Sequence, residues 1–122
     1  MGKILLVDDS ETTRSSLKFS LGMNKYETIG AANVSEAISY LRDKNEEISL
    51  VITDMNMPGR TGLDLIKYIK ETLMLTTLPI IVLTTAEDKG KEALSQGASA
   101  FIMKSSKASE EILRFVTRYF PV

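Results

Sequence analysis

The sequence predicts an α/β domain built on a five-stranded parallel sheet with helices packed on both faces. The first observation behind this is alternation: short apolar runs at 3–7, 26–30, 50–53, 79–84 and 100–103 are separated by longer segments of helical period at 10–21, 34–43, 62–73, 88–96 and 109–120. The second is that several of those helical segments open on a polar residue placed as a cap. The third is size, since 122 residues make one domain able to bury roughly two-thirds of its unfolded surface. A single domain over 1–122 is the expectation.

The first run, Lys3 to Val7, ends in the adjacent carboxylates Asp8 and Asp9, with Ser10 and Glu11 behind them. Like charges that close oppose each other's ionisation, so the pair costs free energy unless a cation sits against it. Taken alone, Asp9 or Ser10 reads as the cap of the following helix. After the second run, Asn33 with Glu36 has the spacing of a reciprocal capping box, and Thr61 with Asp64 repeats it after the third run. The third helix then carries Leu65, Ile66, Ile69 and Leu73 on one face, predicted to be core, with Lys67 and Lys70 turned outward. The fourth helix is the weakest and is expected to be the most mobile: residues 87–91 are charged, and Gly90 costs about 1 kcal/mol relative to alanine. Gly97 ends it as a left-handed cap.

Composition narrows the chemistry. The chain has no cysteine and no histidine, which removes disulfides, thiol catalysis, imidazole acid/base work and thiolate or imidazole metal ligands. Carboxylates, hydroxyls, lysines and backbone oxygens remain, an inventory suited to a hard cation and to phosphate. With 15 basic and 16 acidic residues the net charge is −1, which gives no basic excess for nucleic acid and no basic amphipathic helix for a membrane surface. No apolar run approaches a membrane span and no signal-peptide pattern opens the chain, so a cytoplasmic setting is expected.

In an open parallel sheet the functional crevice lies beyond the carboxyl ends of the strands. There the sequence sets Asp8 and Asp9 after strand one, Asp54 after strand three, Thr84 and Thr85 at the end of strand four, and Lys104 after strand five. Three carboxylates, threonine hydroxyls and an amine are aimed at one rim. Singly each has a structural reading: Asp54 as a turn cap, Lys104 as a solvated strand end, Thr84 as a buried hydroxyl bonded to backbone.

Together, Asp8-Asp9, the stretch Asp54-Met55-Asn56-Met57-Pro58-Gly59, Thr84 after an aliphatic strand, and Lys104 after Gly97-Ala98 resemble the receiver domain of two-component response regulators, in the form of a stand-alone chemotaxis-type regulator. The resemblance implies a flavodoxin-like (βα)5 fold with strand order 2-1-3-4-5. It implies that Asp54 takes a phosphoryl group from a sensor histidine kinase or phosphotransfer protein and that the domain catalyses this phosphorylation and its own dephosphorylation. Mg²⁺ is the implied cofactor, with Asp9 and Asp54 as direct ligands, Asp8 acting through water and the Asn56 main-chain carbonyl contributing an oxygen. Thr84 and Lys104 would contact the phosphoryl oxygens. Phe101 falls at the aromatic switch position, and the fourth helix, fifth strand and fifth helix form the face that changes for a downstream protein target, with no direct contact to nucleic acid or membrane.

One feature departs from the family pattern, in which a proline and then a phenylalanine follow the lysine and the lysine–proline bond is cis. Ser105 and Ser106 stand there in this chain. A cis bond without proline costs about 3 kcal/mol, so a trans Lys104-Ser105 bond is expected. Two other readings follow from the same residues. A degenerate receiver would serve only as a protein-binding module. A flavodoxin-like FMN site would use the hydroxyls of Ser10, Thr12 and Thr13, but the neighbouring acids repel a flavin phosphate, and the chain lacks tryptophan to cover a ring.

Overall fold

The computed structural model describes residues 2–120. Strands β1 (Lys3–Val7), β2 (Thr28–Ala31), β3 (Ile48–Asp54), β4 (Ile80–Thr84) and β5 (Ala100–Met103) alternate with helices α1 (Glu11–Met23), α2 (Val34–Lys44), α3 (Gly62–Lys67), α4 (Glu87–Ser95) and α5 (Ala108–Tyr119). The strands form one parallel sheet in the order β2-β1-β3-β4-β5. This is the flavodoxin-like order.

Because successive strand residues face opposite ways, each central strand feeds two cores. Leu5, Val7, Val51, Ile80 and Val82 face one layer with Val34, Ala37 and Leu41 of α2, Leu65 and Ile66 of α3 and Ala93 of α4. Ile4, Leu6, Ile52, Ile81 and Leu83 face the other, against Leu17 and Leu21 of α1 and Ile112 and Val116 of α5. That near-continuous run of aliphatic residues is why the strands read clearly. The pairing Leu5↔Val51, Val51↔Ile80 and Ile81↔Ala100 sets the strand ends in register, so their carboxyl ends open on a common rim.

Local details differ from the sequence expectation where side chains compete. The second strand begins at Thr28, not Tyr26, because Lys25 turns the chain at positive φ (71°) and the Tyr26 amide donates back to the Leu21 carbonyl at 3.0 Å. The buried Tyr26 hydroxyl donates instead to the Phe120 carbonyl at the end of α5. The third helix stops as an α-helix at Lys67 and widens into a π turn, Tyr68–Thr72, with Leu73 N–H donating to the Tyr68 carbonyl at 2.9 Å. Leu65, Ile66 and Ile69 are core as expected, and Lys67 is exposed. Lys70 is not turned outward: its amine donates to the Thr76 and Leu78 carbonyls at 3.0 and 3.2 Å, and burial pushes its pKa down. The irregular chain after the π turn leaves those carbonyls without ladder partners, and a long aliphatic stem lets lysine reach them.

Thr61 and Asp64 form the reciprocal capping box. At α2 the Asn33 side chain accepts from the Glu36 amide at 2.8 Å, but Glu36 reaches past the cap and accepts from Ala32 N–H at 2.9 Å. Ser10 caps α1 by accepting from the Thr13 amide at 3.2 Å. Gly97 has φ +117°, as a residue closing α4 requires. Among the described residues, no helix is long and apolar enough to cross a membrane.

Candidate functional site

The rim brings the three carboxylates together. One oxygen each from Asp8, Asp9 and Asp54 lies within 4.8 Å of the others. Asp54 is the last residue of β3 and only 3% exposed, held there because the Met55 amide continues the ladder to the Leu83 carbonyl at 2.9 Å. Asp8 lies one residue past β1, its amide donating to the Ala31 carbonyl at 3.0 Å and its Oδ1 accepting from the Ser10 amide at 2.8 Å. Asp9 is exposed at the edge of the pocket.

The cation demanded by this arrangement is Lys104. Its amide donates to the Thr84 carbonyl at 2.8 Å, extending the β4–β5 ladder by one residue, and its Nζ crosses to Asp54 Oδ1 at 2.8 Å. The Asn56 amide approaches the same oxygen at 3.3 Å. The described residues contain no cis peptide, so the Lys104-Ser105 bond is trans as expected. In place of proline, the Ser105 hydroxyl accepts from the Lys107 amide at 3.1 Å and the Ser105 carbonyl accepts from Ala108 N–H, turning the chain into α5. Between α1 and α5 this leaves a cavity of about 320 Å³ with Thr12, Ser16, Lys104, Ser105 and Ser109 in its wall and no aromatic ring to sandwich a flavin.

Among the described residues, Asp8 Oδ2 is a buried oxygen that receives no hydrogen bond. Burial raises the Asp8 pKa above the usual carboxylate range, and the charges of Asp54 and Asp9 add to that, while the Ser10 amide and Lys104 oppose it. An orphaned carboxylate oxygen beside two other carboxylates is a donor set of hard oxygens, and it fits a small divalent cation such as Mg²⁺.

A raised pKa means the folded state holds its Asp8 proton at pH values where the unfolded chain has lost it. Asp8 therefore subtracts stability from the metal-free protein as pH rises above about 4, and the loss is complete once pH exceeds the folded-state pKa. Asp8→Asn keeps an acceptor for the Ser10 amide and turns an NH₂ toward the neighbouring carboxylates. It is expected to raise the unfolding free energy of the metal-free protein at pH 7 by about 1–2 kcal/mol, with the gain gone near pH 3. Thermal unfolding at both pH values decides it; an unchanged or lower midpoint at pH 7 means the carboxylate is already compensated.

Thr84 is fully buried, and its hydroxyl is engaged with the next turn, accepting from Ala86 N–H at 3.1 Å and donating to the Ala86 carbonyl at 3.3 Å. Phe101 lies half-buried on β5 with its ring directly over Gly90 of α4, where a Cβ would fall inside the ring's van der Waals envelope. The glycine that weakens α4 on propensity grounds is thus the space the aromatic occupies. Two contacts of the site had no sequence signal: the Arg14 guanidinium on the Asp8 main-chain carbonyl, and the approach of Gly62 to the Asp54 carbonyl, to which its Cβ would come within 2.7 Å.

Known proteins resemble this chain in sequence and fold. The chemotaxis protein CheY1 of Helicobacter pylori is 36% identical over 104 residues, covering 84% of each chain. A two-component response regulator-like protein of rice, PRR37, is 34% identical over 110 residues, but the chain spans only 15% of its length. The solved structure of Vibrio cholerae chemotaxis protein CheY4 superposes with a TM-score of 0.85 at 30% identity, covering 97% of this chain and 98% of that one. Residues 4–116 match the response regulator receiver domain model. With that match spanning nearly all of the doubly wound sheet and the acidic rim it carries, the chain belongs to the response regulator receiver domain family of two-component signalling.

Proposed function

We propose that this receiver takes a phosphoryl group onto Asp54 from a histidine kinase or a histidine phosphotransfer protein and uses the change to control a partner protein. The observation that carries the reading is the convergence on Asp54: Lys104 at 2.8 Å on one side and the two carboxylates of the β1 end on the other. In the transfer, an Asp54 oxygen forms the new O–P bond as the P–N bond to the donor imidazole breaks. Such reactions need positioning and charge compensation more than covalent help. Lys104 moves as a point charge from the carboxylate to a phosphoryl oxygen. Asp8, Asp9, Asp54 and the Asn56 main-chain carbonyl would hold Mg²⁺, which when bound compensates charge on the transferred group's oxygens.

Thr84 must exchange its two Ala86 contacts for a phosphoryl oxygen, which loosens the first turn of α4 that those contacts brace. Phe101, seated on that helix, is the neighbouring group free to respond. The altered face is then α4, β5 and α5, and the target is a protein. A cytoplasmic setting follows from the proposed kinase partner.

The test is intact mass after incubation with acetyl phosphate and Mg²⁺. One phosphate is expected on the wild type, none on Asp54→Asn, and none with a chelator present. No uptake by the wild type under any condition sinks the phosphoacceptor reading and leaves the binding-only module.

A further inference from the structure

A second cation touches the main chain of the acid pair. Arg14, the fourth residue of α1, sends its guanidinium back to the main-chain carbonyl of Asp8, six residues earlier. Its stem lies along the edge strand, where a Cβ on Gly30 of β2 would sit 3.5 Å from Arg14 Cδ and 3.7 Å from Nε, in ordinary packing contact. Arg14 therefore reaches the end of β1 from the β2 side, whereas Lys104 reaches Asp54 from the β5 side.

What that contact fixes is a peptide plane. The Asp8 amide is held by the Ala31 carbonyl and the Asp8 side chain by the Ser10 amide. The Asp8 carbonyl, beyond the last paired residues Val7↔Ala31, is held by Arg14. Because the peptide is planar, the direction of that carbonyl sets the direction in which the chain enters Asp9. The Asp9 carboxylate makes no hydrogen bond or ion pair among the described residues, so its aim depends on the backbone beneath it. A lysine or a shorter polar residue would not match the guanidinium's rigid fork and reach.

We propose that Arg14 is a positioning residue for cation binding: by holding the Asp8 carbonyl it orients the Asp8–Asp9 peptide and so aims Asp9 into the site. This rests on the metal reading of the acidic pocket. It concerns a residue that touches neither the ion nor the phosphoryl group, and it separates cation affinity from chemistry. Residues that orient metal ligands characteristically change affinity by 10- to 100-fold when lost.

The experiment measures Mn²⁺ binding by the loss of its free electron-paramagnetic-resonance signal, with Mg²⁺ as competitor, on wild type, Arg14→Met and Arg14→Gln. Arg14→Met keeps the stem over Gly30 and removes the donors; Arg14→Gln keeps a polar end too short to reach. Both are expected to bind Mn²⁺ and Mg²⁺ about tenfold more weakly, while the phosphorylation rate at saturating Mg²⁺ stays within about twofold of wild type. A residue that merely packed over Gly30 would move the melting temperature and leave affinity alone. Wild-type affinity in a folded variant overturns the inference on its own. A wild type that binds neither cation overturns the metal reading and this inference with it.

Discussion

Gly62→Ala is expected to lower the unfolding free energy by about 3 kcal/mol, the upper part of the range for overpacking, and to slow phosphoryl uptake at Asp54 severalfold. The added Cβ would lie 2.7 Å from the Asp54 carbonyl oxygen and 3.1 Å from Met55 Cα, both main-chain atoms. Neither can retreat. Asp54 is paired in β3 and Met55 is hydrogen-bonded to Leu83, so the strand is held by both of its neighbours. Nor can the helix easily move away, since the Gly62 amide donates to the Met55 carbonyl at 2.9 Å and Thr61 and Asp64 cap the same turn. The strain therefore falls on the residue that carries the proposed chemistry. Urea unfolding and single-turnover phosphorylation test both halves; a wild-type midpoint would show that α3 slides without cost.

Gly90→Ala meets a different obstacle and should respond differently. Alanine gains about 1 kcal/mol of helix propensity over glycine, but its Cβ would occupy the Phe101 ring, and forcing atoms into a packed position costs about 1–3 kcal/mol. The obstacle here is a side chain that can rotate. The expected result is a net loss of about 1 kcal/mol with the ring driven off α4 toward solvent. Nuclear Overhauser contacts between the Phe101 ring and the α-proton of residue 90 should disappear, while phosphoryl uptake at Asp54 stays close to wild type. Gly22→Ala is the reference: nothing lies within 4 Å of its Cβ, so only the propensity gain of up to about 1 kcal/mol remains. Persistence of the ring contacts in Gly90→Ala would mean that α4 shifts instead of Phe101.

These two glycines also mark where the sequence was legible and where it was not. The central strands could be read because residues buried on both faces leave unbroken aliphatic runs, as in Ile80 to Leu83. The acidic rim could be read because parallel strands all deliver their last residues to one edge. Gly90, by contrast, reads in sequence only as a weak helix residue, since nothing along the chain says that Phe101 will lie over it. The Lys70 amine and the Arg14 guanidinium escaped for a related reason: hydropathy assigns a long cationic side chain to solvent, whereas its stem can bend to a main-chain carbonyl that only the folded loop presents. Tyr26 belongs to the second apolar run, but the turn at Lys25 sends its amide back to the Leu21 carbonyl and keeps it out of the ladder, a local turn that hydropathy does not signal.

That tyrosine has a consequence for how the molecule breathes. The last turn of a helix ordinarily frays, its amides exchanging with solvent at little cost in free energy. Here the hydroxyl of a residue 6% exposed is spent on carbonyls of the final turn of α5, Phe120 foremost and Val116 at 3.5 Å, across 94 and 90 residues of sequence. Opening that turn strands a buried phenol without an acceptor, so the turn is coupled to the α1–β2 connection that carries Tyr26. The face proposed to meet a partner thus ends in an anchored helix, whereas its other helix, α4, starts at Ala86 without a side-chain cap and is held there by the Thr84 hydroxyl on the Ala86 backbone.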